Sequence, residues 1–392
     1  MKVLHVIPSI SKHAGGPSEA IFPMCRALRK KGIEVVLATT NDGIDVSEFG
    51  CEKEYKDLPA IFFPSQIGRS FKYSRPFATW LNRSVSDFDI VHIHAVFNHA
   101  CIAAARACRR NRVPYIIRPL GTLDPWGMKQ KSWRKGIFWR LAGNDMLGHA
   151  AAIHYTAVGE KQATEQSLGL NHGYVVALGV EPAGDGLSAG KILAREFPAL
   201  MNSPYVLVLS RLLPTKGLDV FLSAFLSVIK HSEFSNWKLV MAGAGPADYV
   251  SALKRNVTAE GADDSVLFPG WLEGDRKIEV LAGASLLALP SYHENFGLCV
   301  MEALSFGIPV LVSPHVNLAP EIESAAAGWI SEIDQQAISG KLTTIFASAE
   351  ERTKRGAAAR RLAQNFSWDE IANQLVSKYN SILRASHEWA HR

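Results

Sequence analysis

The sequence predicts an α/β protein built from two parallel sheets in series, each covered by helices. Three observations predict it: the length, the alternation of short apolar runs with longer helical patterns, and a glycine- and proline-rich stretch near the middle. At 392 residues the chain is too long for one ordinary domain and suits two of moderate size. Nearly half of it (47%) is apolar, enough for two substantial cores.

In the first half, Val3–Ile7, Glu34–Ala38, Ile90–His94, Tyr115–Ile117 and Ala152–Tyr155 read as buried strands. In the second, Tyr205–Leu209, Lys238–Ala242, Val266–Phe268, Leu286–Leu289 and Val310–Val312 do the same. Helical patterns fill the gaps, most clearly Glu19–Lys31 and Leu218–Lys230. Strands alternating with helices predict parallel sheets with helices on both faces, here two Rossmann-like domains. The stretch Gly179–Asn202, with Pro182, Gly184, Gly186, Gly190 and Pro198, reads as the linker. It divides the chain into a first domain over 1–183 and a second over 184–367.

Composition narrows the function. No apolar stretch reaches the roughly 18 residues of a spanning helix. The N-terminus enters a strand directly, without a signal-peptide layout, so a cytoplasmic protein is expected. Five scattered cysteines (25, 51, 101, 108, 299) read as thiols of a reducing compartment and offer no zinc spacing. Residues 1–180 hold 23 Lys and Arg against 14 Asp and Glu, and the remainder 19 against 23. A basic first half fits an anionic partner such as a membrane surface or lipid phosphate; plain solubility charge is the alternative. Nothing points to nucleic acid.

The segment Pro290–Val310 is the most informative. It follows an apolar strand and holds Glu294 and Glu302 with seven residues between them, ahead of Gly307 and Pro309. One carboxylate just before a helix and another about two turns on can face one ligand. The free N–H groups of the helix start favour a negative group such as phosphate. Other short motifs lie on or after predicted strands: Pro8–Glu19, Asp89–His94, Ser210–Gly217, Met241–Pro246, Phe268–Trp271 and Pro320–Ile322, with Phe366–Ile371 closing the series. Open parallel sheets bind ligands at the carboxyl ends of their strands, and two facing sheets make one cleft.

With its Asn295-Phe296-Gly297 core, this paired-glutamate block resembles the retaining glycosyltransferases of family 4, which have the GT-B fold, and the motifs in order extend the resemblance through the chain. The resemblance implies that the last helix, from about 368 to 392, crosses back to an acceptor-side first domain. It implies a hexose transfer from a nucleotide sugar, UDP-glucose first and GDP-mannose next, to a glycan or lipid-linked acceptor. Polysaccharide or cell-envelope assembly is the implied setting, and no metal or other cofactor is required.

Arg211 and Lys216 would stabilise the departing diphosphate, with surface ion pairing as the alternative. Glu302 would accept hydrogen bonds from ribose hydroxyls. Glu294 would contact the donor sugar. Asn295, Phe296, Gly297 and Leu298 would offer backbone N–H groups, with a helix cap at Asn295 as a compatible reading. Gly15 and Gly16 would let the backbone approach the diphosphate, and Ser210 belongs to the same donor set. Gly243 would turn near the base, and Trp271 and Leu272 would flank it, Trp271 being equally a core aromatic. His94, on one strand face with His92, would reach a sugar hydroxyl; a buried core histidine and a metal pair are the alternatives.

The segment Trp126–Arg140 sets five cations beside three Trp and one Phe, a composition suited to peripheral contact at the inner face of a membrane. The alternative is a helix packing Trp133 and Ile137 inward. Two other functions compete: a nucleotide-sugar epimerase on a similar scaffold and a non-catalytic nucleotide-sugar-binding subunit. A dehydrogenase is disfavoured because neither Gly15-Gly16 nor Gly243-Ala-Gly245 completes the dinucleotide fingerprint.

Overall fold

The computed structural model describes residues 1–11, 15–66, 71–129, 135–136, 138–182 and 191–390. The chain divides into two compact units, Met1–Gly179 with Trp368–Arg392, and Val180–Ser367.

The first unit carries an eight-stranded sheet: β1 (Lys2–Val6), β2 (Glu34–Thr40), β3 (Glu52–Tyr55), β4 (Leu58–Phe63), β5 (Ile90–His94), β6 (Tyr115–Arg118), β7 (Ala152–Tyr155) and β8 (Gly173–Val175). Its order is β3-β4-β2-β1-β5-β6-β7-β8, parallel except for the β3–β4 hairpin. The five strands expected here are present. β3, β4 and β8 escaped the sequence reading: β3 is charged and half-exposed, β4 carries Pro59 at its second position, and β8 is three residues opening on a glycine. The inner strands are buried on both faces, as crossover helices require. The helix Trp368–Ala390 packs on the helix Gly16–Lys30, fixed by a Lys31–Asp369 ion pair of 2.6 Å.

The second unit carries an all-parallel six-stranded sheet: β9 (Tyr205–Leu209), β10 (Lys238–Ala242), β11 (Val266–Gly270), β12 (Leu286–Leu289), β13 (Val310–Val312) and β14 (Gly328–Ile330). Its order is β11-β10-β9-β12-β13-β14. Only β14 was unforeseen: three residues opening on a glycine give too little periodicity. Gly328 is there because a Cβ would meet the Val310 carbonyl oxygen at 2.2 Å.

The expected linker is partly structured. Residues 183–190 lie outside the described residues, but Lys191–Glu196 is a helix. The carboxylate of Glu279, itself buried, accepts from the backbone N–H groups of Ile192 and Leu193 at 2.8 and 2.9 Å. Among the described residues no helix is long and apolar enough to cross a membrane.

Candidate active site

In the second sheet the chain leaves β9 towards β10 and β11, then crosses to β12 and runs the other way. The loops after β9 and β12 therefore diverge from adjacent strand ends and open a crevice between them. Gly217 lets these loops touch: its φ is +63°, and a Cβ would come within 2.3 Å of the Pro290 carbonyl oxygen. Tyr292 N–H donates to the Thr215 carbonyl at 3.0 Å. This approach brings Lys216 against Glu294 as a partly buried ion pair. The next loop pins Glu294 from the other side: its N–H donates to His315 O, and its carbonyl accepts from Asn317 N–H, both at 3.1 Å.

Arg211 lies in the same β9 loop, exposed and in no ion pair among the described residues. The Ser210 hydroxyl is turned back onto the Arg211 carbonyl at 3.2 Å. The helix after β12 begins at Leu298 with Gly297 as its N-cap, φ +75°, and no side chain caps it. The cap is thus not Asn295, and the leading N–H groups of the helix keep their positive end free of a side-chain acceptor. The Phe296 ring is 3% exposed and packs edge-on against Phe366, so only its backbone can serve a ligand.

Glu302, one turn into this helix, pairs at 2.7 Å with Lys277 from the helix Gly274–Ala282. Sequence reading missed Lys277, which carries no motif and reaches the site only through the packing of two helices.

The remaining expected donor residues separate. Gly243 has φ +146°, and a Cβ there would overlap the Ser210 carbonyl oxygen at 1.8 Å; at Gly245 it would meet Leu212 O at 1.9 Å. Both glycines serve the crossing of the two loops, joined by Leu212 N–H to Ala244 O at 2.9 Å. Trp271 is 42% exposed at the end of β11, which removes the core alternative, whereas the Leu272 side chain is 4% exposed and packs inward.

In the first unit, β1 and β5 form the corresponding switch point. Gly15 caps the helix Gly16–Lys30 with φ +80°, no side-chain cap and open space where a Cβ would stand. Gly15 thus offers bare backbone at the start of this helix.

His94 needs correction. The expectation that it reaches a sugar hydroxyl fails on packing: its ring is 1% exposed and engaged on both nitrogens. The parallel register sets His5 beside His92, and a buried imidazole cluster results. Arg118 can only donate, so its Nη1 donates to His94 Nδ1 (3.4 Å), and His94 Nε2–H then donates to His5 Nδ1 (2.9 Å). The Val176 carbonyl can only accept, so His154 Nε2–H donates to it (2.7 Å). His92 Nε2–H then donates to His154 Nδ1 (3.1 Å), and the Tyr379 hydroxyl donates to His92 Nδ1 (2.7 Å).

Burial, then the Arg118 charge, lowers the pKa of His5 and His154 to about 3. Burial first also holds His92 and His94 well below the ordinary histidine value; for His92 the neighbouring imidazoles come next, and for His94 the Arg118 charge. His5, His92 and His94 have the spacing of a three-nitrogen metal site. A divalent cation there would sit against the buried Arg118 guanidinium and break the hydrogen bonds between rings, so the geometry fits a neutral structural network.

The expected membrane-contact segment is only partly described. Residues 130–134 and 137, with Lys131, Trp133, Arg134 and Ile137, lie outside the described residues, as do the side chains of Trp126 and Lys129. Lys135 is turned inward, donating to Gly127 O at 2.6 Å with its ammonium 4.5 Å from the Phe97 ring.

Residues 15–180 match the family model described as glycosyl transferase 4-like domain, and residues 192–362 match glycosyl transferases group 1. The D-inositol 3-phosphate glycosyltransferase of Corynebacterium efficiens is 27% identical over 194 residues, 49% of this chain and 46% of that protein. Its namesake in Salinispora arenicola is 28% identical over 211 residues, 52% and 47%. The match thus spans about half the length of these curated relatives.

Among solved structures, Anabaena Alr3699/HepE in complex with UDP and glucose aligns with TM-score 0.77 and 19% identity over 97% of this chain and 100% of that one. Sucrose-phosphate synthase from Thermosynechococcus elongatus aligns with TM-score 0.79 and 18% identity over 98% and 99%. These structural likenesses show the fold. With the two family models matched in succession over both units, the chain belongs to the family 4 glycosyltransferases of the GT-B fold.

Proposed function

We propose that the protein is a metal-independent, retaining hexosyltransferase that moves glucose from UDP-glucose to a glycan or lipid-linked acceptor in polysaccharide or envelope assembly. The observation that carries this reading is the grouping at the second switch point of Lys216, Arg211, the uncapped helix start at Leu298 and the two carboxylates. An ammonium has three N–H donors. One of those on Lys216 is held by Glu294, leaving two for phosphate oxygens.

As the glycosidic bond breaks, negative charge grows on the diphosphate. Lys216, held by Glu294, the exposed Arg211 and a helix N-terminus would stabilise that charge with no metal. Glu302, steadied by Lys277, would accept the ribose hydroxyls, and Glu294 would face the sugar. The choice of UDP-glucose rests on structural neighbours such as Anabaena Alr3699/HepE, solved with UDP-glucose. His94 is left out of this set, because its ring is closed to ligand.

The test is release of nucleoside diphosphate from a panel of nucleotide sugars with EDTA present. UDP release from UDP-glucose, with the α-anomeric bond kept in any product, supports the reading. Dependence on added metal contradicts metal independence, and release of GDP from GDP-mannose alone contradicts the donor. A change of the free sugar nucleotide without transfer supports an epimerase instead.

A further inference from the structure

The first unit carries a groove that the proposed chemistry does not use. It has a volume of about 480 Å3 and runs beside the C-terminal end of β4 and the helix Arg75–Ser84. That size lies within the range of small-molecule sites, about 300–1,000 Å3.

One wall is aromatic. Phe63 stacks on Phe77 at 4.4 Å between ring centroids, and Trp80 leans on Phe63 at 5.4 Å. Phe63, 1% exposed, and Phe77 are both buried beneath the partly exposed Trp80, so this wall is backed by core. Phe49 stands at the rim, 41% exposed. The other wall is a stripe of the helix: Arg75, Thr79 and Arg83 recur every fourth residue and share one face, spanning about 12 Å of rise. All three are exposed, and neither arginine forms an ion pair among the described residues. No carboxylate among the described residues lines the groove.

A wall of Trp80 and Phe49 suits hydrocarbon, and two exposed guanidinium groups that form no ion pair among the described residues suit an anion. We propose that this groove binds a single-chain lipid phosphate, its hydrocarbon along Phe49 and Trp80 and its phosphate on Arg75 or Arg83. The proposal stands apart from the transferase reading, since it concerns a site on the first unit that needs no donor.

The test is calorimetric titration of the full chain with decyl phosphate below its micelle concentration, with no nucleotide sugar present. Decanol and inorganic phosphate are the controls. The expected result is saturable binding at one site, weakened about tenfold or more in Arg75→Ser/Arg83→Ser and in Thr79→Trp, which fills the groove. Each control alone should bind at least about tenfold more weakly than decyl phosphate. All three substituted positions are exposed, so unchanged thermal melts are expected and confirm folding. If Thr79→Trp fails to fold, the arginine pair still decides.

Absence of saturable binding, equal affinity in the arginine variant, or equal binding of decanol overturns the proposal. So does binding to anionic vesicles without binding of monomeric decyl phosphate, which would make this face a membrane contact. Turnover of UDP-glucose with no decyl phosphate binding refutes the groove and leaves the transferase standing. The reverse result refutes the transferase and leaves the groove.

Discussion

Lys216 and Glu294 are ion-paired across the switch point of the second sheet, although 78 positions apart in sequence. Each comes from a loop leaving one of two adjacent parallel strands, and a glycine makes their meeting possible. On the proposed function, the pair would hold a cation ready for an incoming diphosphate and keep a carboxylate beside the donor sugar. Replacing Lys216 by Ala should lower kcat by on the order of 100-fold or more, the usual cost of losing one preorganised charge donor. Arg211→Ala should also act mainly on kcat. Steady-state UDP release measures both, and turnover at the wild-type rate in either variant removes that residue from the catalytic set.

Gly217 tests the geometry beneath that pair. An alanine there would hold a left-handed φ and press its Cβ on the Pro290 carbonyl. Gly217→Ala should destabilise the second unit by about 1–3 kcal/mol and reduce activity together with stability. Urea unfolding followed by fluorescence measures the first effect. An unchanged midpoint contradicts the close approach.

Glu302 and Lys277 separate binding from chemistry. Glu302→Ala should weaken UDP binding about tenfold or more, the scale of lost charge-assisted hydrogen bonds. Lys277→Met should raise KM for the donor while leaving kcat nearly unchanged, and Lys277→Arg should restore much of it. A fall in kcat alone would show that Lys277 does not act through ribose recognition.

The local motifs were legible because they are contiguous. The strand Leu286–Leu289, Glu294 and the helix that carries Glu302 follow one another in twenty residues, so their shared face can be read from spacing. The buried histidine cluster was not. His5 meets His92 only through the parallel register of β1 and β5, and His154 and Tyr379 arrive from elements far along the chain. His94 looked like a site residue because it ends a strand. Its side chain points to the face covered by packing, and one strand position cannot tell the two faces apart when both are buried. Lys277 was invisible for a similar reason, since helix-to-helix packing leaves no local signature.

That cluster predicts a pH dependence of stability. The rings are neutral when folded, with values lowered by burial, whereas in the unfolded chain they titrate near 6.5. Below about pH 6.5 the unfolded chain takes up protons that the folded rings refuse, so stability falls as pH drops towards about 3. Each ring contributes a slope of up to about 1.4 kcal/mol per pH unit in that window. Above pH 7 the rings contribute no pH dependence. His154→Gln should flatten the acid limb of a melting-temperature profile measured from pH 8 to 5, and an unaltered limb would contradict neutral burial of that ring.

The central claim is that the second switch point binds a nucleoside diphosphate sugar through Lys216, Glu302 and the start of the helix at Leu298. Calorimetric titration of UDP onto the wild-type chain and Glu302→Ala, both in EDTA, tests it most directly. One saturable site in the wild type, weakened about tenfold or more in the variant, is the predicted result. No saturable binding of UDP or of any other nucleoside diphosphate, or equal binding by both proteins, would contradict it.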